Sequence, residues 1–232
     1  MNLYVGASGY SYKEWKGTFY PADMSAKGML HYYGERFRTV EINNTFYRMP
    51  KTSVLEAWCG EVPADFKFVL KASRQITHIR RLKDAADSVS YLLDAAGTLK
   101  ERMGPLLFQL PPNLKKDLPR LRDFLALLPP KRRVAFEFRH QSWFDDEVFA
   151  LLNEHQAALC IAEAENDLEV PFAATSDWGY LRLRRPGYDD AELRKWVHLV
   201  REKSWQDLFV FFKHENKGMA PETAKRFLEL AA

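Results

Sequence analysis

Eight short runs with strand-like apolar patterning recur along the 232 residues, and helical patterns fall between most of them. The runs are Leu3–Ala7, Thr39–Phe46, Phe66–Ser73, Leu106–Pro111, Val134–His140, Ala158–Glu163, Gly179–Arg184 and Leu208–His214. Strands separated by helices pair in parallel, because only a crossover returns the chain to the same sheet edge. Eight such units predict an α/β chain folded as a closed eight-stranded parallel β/α barrel (TIM-barrel type), one domain over residues 1–232. A doubly wound open sheet is the alternative. Helices are expected over Ser25–Phe37, Ser53–Cys59, Lys83–Met103, Leu118–Leu128, Asp145–His155, Asp190–Lys203 and Pro221–Leu230. Ser53 reads as a cap for the second and Gly104-Pro105 as a stop for the third. Between the sixth and seventh runs, Ala164–Ser176 contains Pro171 and only a fragment of helical pattern, so the sixth helix is expected to be short or missing.

Hydrophobic residues make up 47% of the chain, enough for a large core, and the net charge of +3 does not by itself imply nucleic acid. Cys59 and Cys160 form no metal or redox spacing, and Cys160 reads as a buried reduced thiol. No apolar run has membrane-spanning length and no charged leader precedes the first run, so a soluble cytoplasmic protein is expected. Gly6-Ala7-Ser8-Gly9 reads as a turn without the following helix of a dinucleotide fingerprint. No nucleotide cofactor is expected.

The second run carries the oddest alternation: Val40 and Ile42 face one way, Glu41 and Asn43 the other. Inward polar residues are expected at the carboxyl ends of barrel strands, where sites of this fold lie. The same parity selects Lys71 and Ser73 in the third run, Gln109 in the fourth, Glu137 and Arg139 in the fifth, and Tyr180, Arg182 and Arg184 in the seventh. Burying so many polar groups at one end is costly unless they serve a pocket. Glu41, Glu137 and Lys71 are the candidate catalytic residues. Asn43, His78, Gln109, Arg139, Tyr180 and Arg182 are the candidate substrate-binding residues. Cations outnumber carboxylates in this set, which favours ionised glutamates acting as general bases and a small anionic ligand, such as a phosphate or carboxylate. Lys71 as a Schiff-base nucleophile is a further option.

Other residues carry weaker signals. Tyr10, Tyr12, Trp15, Phe19 and Tyr20 crowd the first loop, and Trp143 and Phe144 follow the fifth run; they could stack on a ligand or cap the core. Lys131-Arg132-Arg133 reads as a solvated run on the opposite rim. His78, His140, Glu163, His214 and Glu215 are the residues from which a metal site would have to be drawn, and none is assigned as a ligand. Pro111-Pro112 suits a shaped loop or a cis bond.

Several segments together resemble the YecE-like family, also called domain of unknown function 72. They are Gly6–Pro21, Val40–Arg48, Lys71 with Ile76-Thr77-His78, Gly104–Pro112, Glu137–Phe144 and Tyr180–Leu183. The resemblance implies a closed α/β barrel and no established chemistry. Two departures, Arg182-Leu-Arg-Arg185 and Phe212-Lys-His214, add positive charge to the rim where the family often has neutral residues. The function expected is an enzyme of hydrolase or isomerase type acting on a phosphate-bearing or otherwise anionic substrate. The alternatives are a nucleic-acid-binding or metal-dependent nuclease-like barrel, and a non-catalytic ligand-binding protein. No membrane partner is expected and oligomeric state is open.

Overall fold

The computed structural model of the chain describes residues 1–163, 168–213 and 218–232. Its eight strands are β1 (Asn2–Ala7), β2 (Thr39–Ile42), β3 (Lys67–Lys71), β4 (Met103–Gln109), β5 (Val134–Glu137), β6 (Ala158–Glu163), β7 (Trp178–Leu183) and β8 (Asp207–Phe212). All pair in parallel in the order β1-β8-β7-β6-β5-β4-β3-β2, the eight-stranded β/α barrel the sequence predicts. The helices are α1 (Met29–Gly34), α2 (Thr52–Glu61), α3 (Ala86–Gly97), α4 (Leu118–Leu125), α5 (Asp146–Glu154), α6 (Asp190–Arg201) and α7 (Met219–Ala231). Residues 164–167 of the segment expected to carry a short or missing sixth helix lie outside the described residues, and among the described ones no helix stands between β6 and β7.

Several boundaries differ from expectation for identifiable reasons. The second strand stops at Ile42, and Asn44–Phe46 forms a 3-10 turn that lifts Phe46 toward the barrel mouth. Helix α2 starts at Thr52 with Lys51 before it, so Ser53 lies inside the first turn and caps nothing. The long third helix is shorter than expected: Arg81, Leu82 and Asp84 take positive φ ahead of α3, and Lys100 does so after it. Gly104-Pro105 belongs to β4 instead of ending a helix. Pro105 has no N–H to donate, and the β3–β4 register is irregular beside it, between Phe68 and Leu70. Gly6 and Ala7 complete β1 rather than forming a turn.

The interior divides into two layers. Outward residues such as Val40, Ile42, Phe68, Leu70, Phe108 and Phe136 pack against the helices. Inside, Ala135, Ala158 and Ala162 of β5 and β6 face the bulky Trp178, Tyr180, Phe209 and Phe211 of β7 and β8, so large side chains fill space that small ones leave. Tyr4 stacks on Phe209 at 4.6 Å between ring centres and belongs to this inner layer. Cys160 lies in the same layer, and burial pushes its thiol well above its ordinary pKa. Both cysteines are free.

The barrel closes at the β1–β2 seam by an unusual device. Among the described residues a single isolated bridge, Ser8 with Glu41, links the two sides, and the Gly9 N–H donates to the Glu41 carbonyl at 2.8 Å. Below it, the Tyr33 hydroxyl from α1 enters the seam. It accepts from the Ala7 N–H at 2.7 Å and donates to the Thr39 carbonyl at 3.0 Å, standing in for a missing strand–strand bond. Gly6 makes room for this arrangement: a Cβ there would sit 2.3 Å from the Thr39 oxygen and 2.7 Å from the Tyr33 hydroxyl.

Candidate functional site

Parity along the strands brings Glu41, Asn43, Gln109, Glu137, Arg139, Tyr180 and Arg182 into one hydrogen-bonded ring at the carboxyl end of the barrel. Arg182 is its hub, buried at 2% exposure. One guanidinium nitrogen donates to Glu41 Oε1 at 2.6 Å and the other to Glu137 Oε2 at 2.5 Å, so a single cation spans the barrel between two carboxylates. Burial alone would lower its pKa; the two carboxylates outweigh that and raise it.

Each glutamate is held by several donors. Glu41, with no exposed surface, accepts from Ser8 Oγ (2.7 Å), Tyr180 Oη (2.6 Å), Asn43 Nδ2 (3.2 Å) and Arg182. Glu137 accepts from Gln109 Nε2 (2.9 Å), Arg139 Nε (3.0 Å), Arg184 Nη2 (3.2 Å) and Arg182. Burial pushes the Glu137 carboxyl up, but Arg182, Arg139, the Gln109 bond and Lys71 together hold it below the usual range. Tyr180 is driven the other way, well above its ordinary value, by burial and then by Glu41. Both carboxylates are thus buried and enclosed by donors in this arrangement.

Lys71 is the exception in this neighbourhood. It ends β3, and its ammonium stands 4.2 Å from the centre of the Phe46 ring, with no hydrogen bond or ion pair among the described residues. Burial, followed by the positive charge of Arg182, lowers its pKa to about 8 despite the pull of the glutamates. His78 does not join the ring. It sits on a π-helical turn, Gln75–Ile79, with its ring edge-on to Phe46 at 4.9 Å and Nδ1 bonded to the Thr77 hydroxyl at 2.9 Å. Burial and Lys71 lower its pKa. Such π turns are frequent at functional sites. Arg139 uses only Nε within the ring, and its terminal nitrogens make no hydrogen bond among the described residues. Arg184 Nε and Arg182 Nε are buried without a hydrogen-bond partner among the described residues. A cleft of about 260 Å³ adjoins the ring at Asn43, with Tyr10, Tyr12, Pro50 and Trp58 on its walls.

Other expectations resolve differently. The Ser73 hydroxyl accepts from the Gln75 N–H and so caps the π turn. Trp15, Tyr20 and Trp143 are buried, with Trp143 Nε1 donating to the Leu114 carbonyl, so these rings build core instead of a stacking face. Arg133 leaves the solvated run to pair with Asp207 at the amino end of β8. His140 caps the turn after β5 by accepting from the Ser142 N–H. Glu163 bonds the Tyr188 hydroxyl, and Glu163, Tyr188 and Arg185 gather beyond β6. His214 and Glu215 lie outside the described residues, and among the described residues no three His, Cys, Asp or Glu side chains come together as a metal cage. No peptide bond among the described residues is cis, Pro111-Pro112 included. Ser8 and Phe46 went unselected by sequence. Ser8 shares parity with Tyr4 and Gly6 and could have been found that way; Phe46 comes into place only because the chain turns after Ile42.

A β/α barrel with a carboxylate–guanidinium ring buried under its carboxyl mouth defines the class of protein. The chain belongs to the family described as protein of unknown function DUF72, whose model matches residues 4–232. It is 30% identical over 143 residues to UPF0759 protein YecE of Escherichia coli strain K12, a match covering 61% of this chain and about half (50%) of that relative's length. It is 25% identical to UPF0759 protein YunF of Bacillus subtilis, across 98% of this chain and 94% of that protein. A DUF72 family protein of Thermotoga maritima is similar in structure, with a TM-score of 0.86, 25% identity and 99% of each chain covered. One of Enterococcus faecalis, at 18% identity and a TM-score of 0.80 over 99% of this chain and 97% of that one, shares the fold. Among the described residues no helix is long and apolar enough to cross a membrane.

Proposed function

We propose that the barrel mouth binds a small anionic substrate, phosphate-bearing or carboxylate, and that the protein is an enzyme acting on it with Lys71 as the reacting group. The observation carrying this reading is the imbalance of charge. Arg182, Arg139, Arg184 and Lys71 surround only Glu41 and Glu137, while the Arg139 fork and the Lys71 amine remain without hydrogen-bond partners among the described residues. Surplus buried cation favours an anion, and a planar fork suits carboxylate or phosphate. The two glutamates hold the cations in place. Lys71 is partly exposed where the glutamates are buried, and its own pKa of about 8 lies near neutrality. Of the two expected reaction types, isomerisation fits better, because neither ring carboxylate is open to activate a water molecule. Calorimetry with inorganic phosphate tests the anion: Arg139→Gln should weaken binding by about tenfold or more. Equal affinity in both proteins would sink this assignment.

One observation favours a second reading, single-stranded nucleic acid lying on the rim. Tyr47 is 72% exposed and Ile79 55% exposed, close in sequence to Arg48, Arg74, Arg80 and Arg81. Anisotropy with a fluorescent oligothymidylate at low and physiological salt decides it; absence of salt-sensitive binding removes the reading.

A further inference from the structure

An amine held against an aromatic ring, near the guanidinium groups of Arg182 and Arg139 and without a hydrogen-bond partner among the described residues, is placed for covalent chemistry as much as for ion pairing. We propose that Lys71 condenses to an imine with a small aldehyde or ketone bearing a phosphate or carboxylate, the Arg139 fork receiving the anionic group. This rests on the anion-binding reading above and names the reactive part of the substrate. The geometry supports each half. Lys71 ends β3 at the carboxyl end of the barrel and is partly exposed, and the Phe46 ring covers one side of its Nζ at 4.2 Å. Arg139 ends the partly exposed side of the Glu137 cluster, with its outer nitrogens uncommitted among the described residues.

In the step itself the neutral amine's lone pair attacks the carbonyl carbon. A C–N bond forms, the C–O bond breaks, and the two amine protons leave with the oxygen as water; no oxidant or reductant is needed. The amine must lose its ammonium proton first. With a pKa of about 8, roughly one molecule in ten carries neutral Lys71 at pH 7, against fewer than one in a thousand for an ordinary lysine. Glu137 and Glu41 then serve to hold Arg182 and Arg139, and the low pKa follows from the burial and positive charge these create.

The test uses glyceraldehyde 3-phosphate, pyruvate and neutral glyceraldehyde as probes, sodium borohydride to reduce any imine to a stable amine, and peptide mass spectrometry to locate it. At pH 8 the two anionic probes should label Lys71 at least ~10-fold more than any other lysine, since far more of it is neutral. The labelling should rise with pH to a midpoint near 8, be competed by inorganic phosphate, and vanish in Lys71→Met, whose fold is checked by circular dichroism. If neither anionic probe labels Lys71 above the other lysines, the imine is overturned. Calorimetric binding of phosphate in that same outcome would leave the anion reading standing. Equal labelling by neutral glyceraldehyde, with no phosphate competition, would overturn the anionic class of substrate. A lysine serving only to pack on Phe46 would show neither the preference for anionic probes nor the competition by phosphate.

Discussion

At the scale of single residues, Glu137 and Lys71 illustrate opposite uses of burial. Glu137 is a buried carboxylate enclosed by donors, and removing its charge leaves Arg182, Arg139 and Arg184 facing one another. Glu137→Gln should therefore cost about 3–5 kcal/mol at pH 7, read by denaturant unfolding. Its folded pKa is lowered, so this stability is present above the unfolded value of 4.5 and is lost as pH falls through the lower folded value. The gap between wild type and variant should accordingly close in acid. Lys71 has the reverse sign. Its folded value of about 8 lies below the ordinary 10.5, so between these values the unfolded chain binds more protons. Wild-type stability should then gain on the order of 1–2 kcal/mol relative to Lys71→Met as pH rises through that window. Denaturation at pH 7.5 and 9.5 reads this, and a constant difference between the proteins would contradict it.

At the scale of elements, the weak place is the β1–β2 seam, where one hydroxyl replaces a strand–strand bond. Tyr33→Phe keeps the ring and its contacts with Phe37 and Phe66 but strands the Ala7 N–H and Thr39 carbonyl in the interior. A loss of about 2–4 kcal/mol is expected from two unsatisfied buried groups, together with faster amide exchange at Ala7. Gly6→Ala should be worse, because its methyl meets backbone as well as the hydroxyl. Element order was readable from the chain. Eight patterned runs with helices between them appear where expected, β6 to the residue, and the gap after it holds no helix among the described residues. Boundaries were less readable. Asn43–Arg48 continues a strand-like pattern, but Asn44–Phe46 turns, with Thr45 Oγ1 donating to the Ile42 and Lys71 carbonyls. Those acceptors come from two different strands, so no local pattern could announce the turn.

At the scale of the whole molecule, the ring joins β2, β4, β5 and β7, and any anion that binds its surplus charge stabilises all of them at once. Millimolar phosphate should raise the thermal midpoint of the wild type by a few degrees, as about 1–2 kcal/mol of linked binding energy does, and should shift Arg139→Gln by much less. A matched rise in both proteins would place the anion elsewhere. Residue type and parity identified the members of the ring, because in a barrel each alternate side chain near a strand's carboxyl end must point to the same small space. They could not reveal its division of labour. Glu41 and Glu137 read from sequence as ionised bases; packing closes both behind four donors each. Lys71 reads from sequence as a candidate catalytic residue beside the two glutamates, and the structure sets it apart from them because its Nζ meets Phe46 while Arg182 takes the carboxylates.

The alternation of apolar and polar residues was thus sufficient to specify a parallel barrel and which polar side chains face its interior, since that alternation is a local property of extended chain. Which of them is saturated and which is left open depends on distances across the barrel between residues as far apart in sequence as Glu41 and Arg182, and those distances are set by how side chains of unequal size fill the interior.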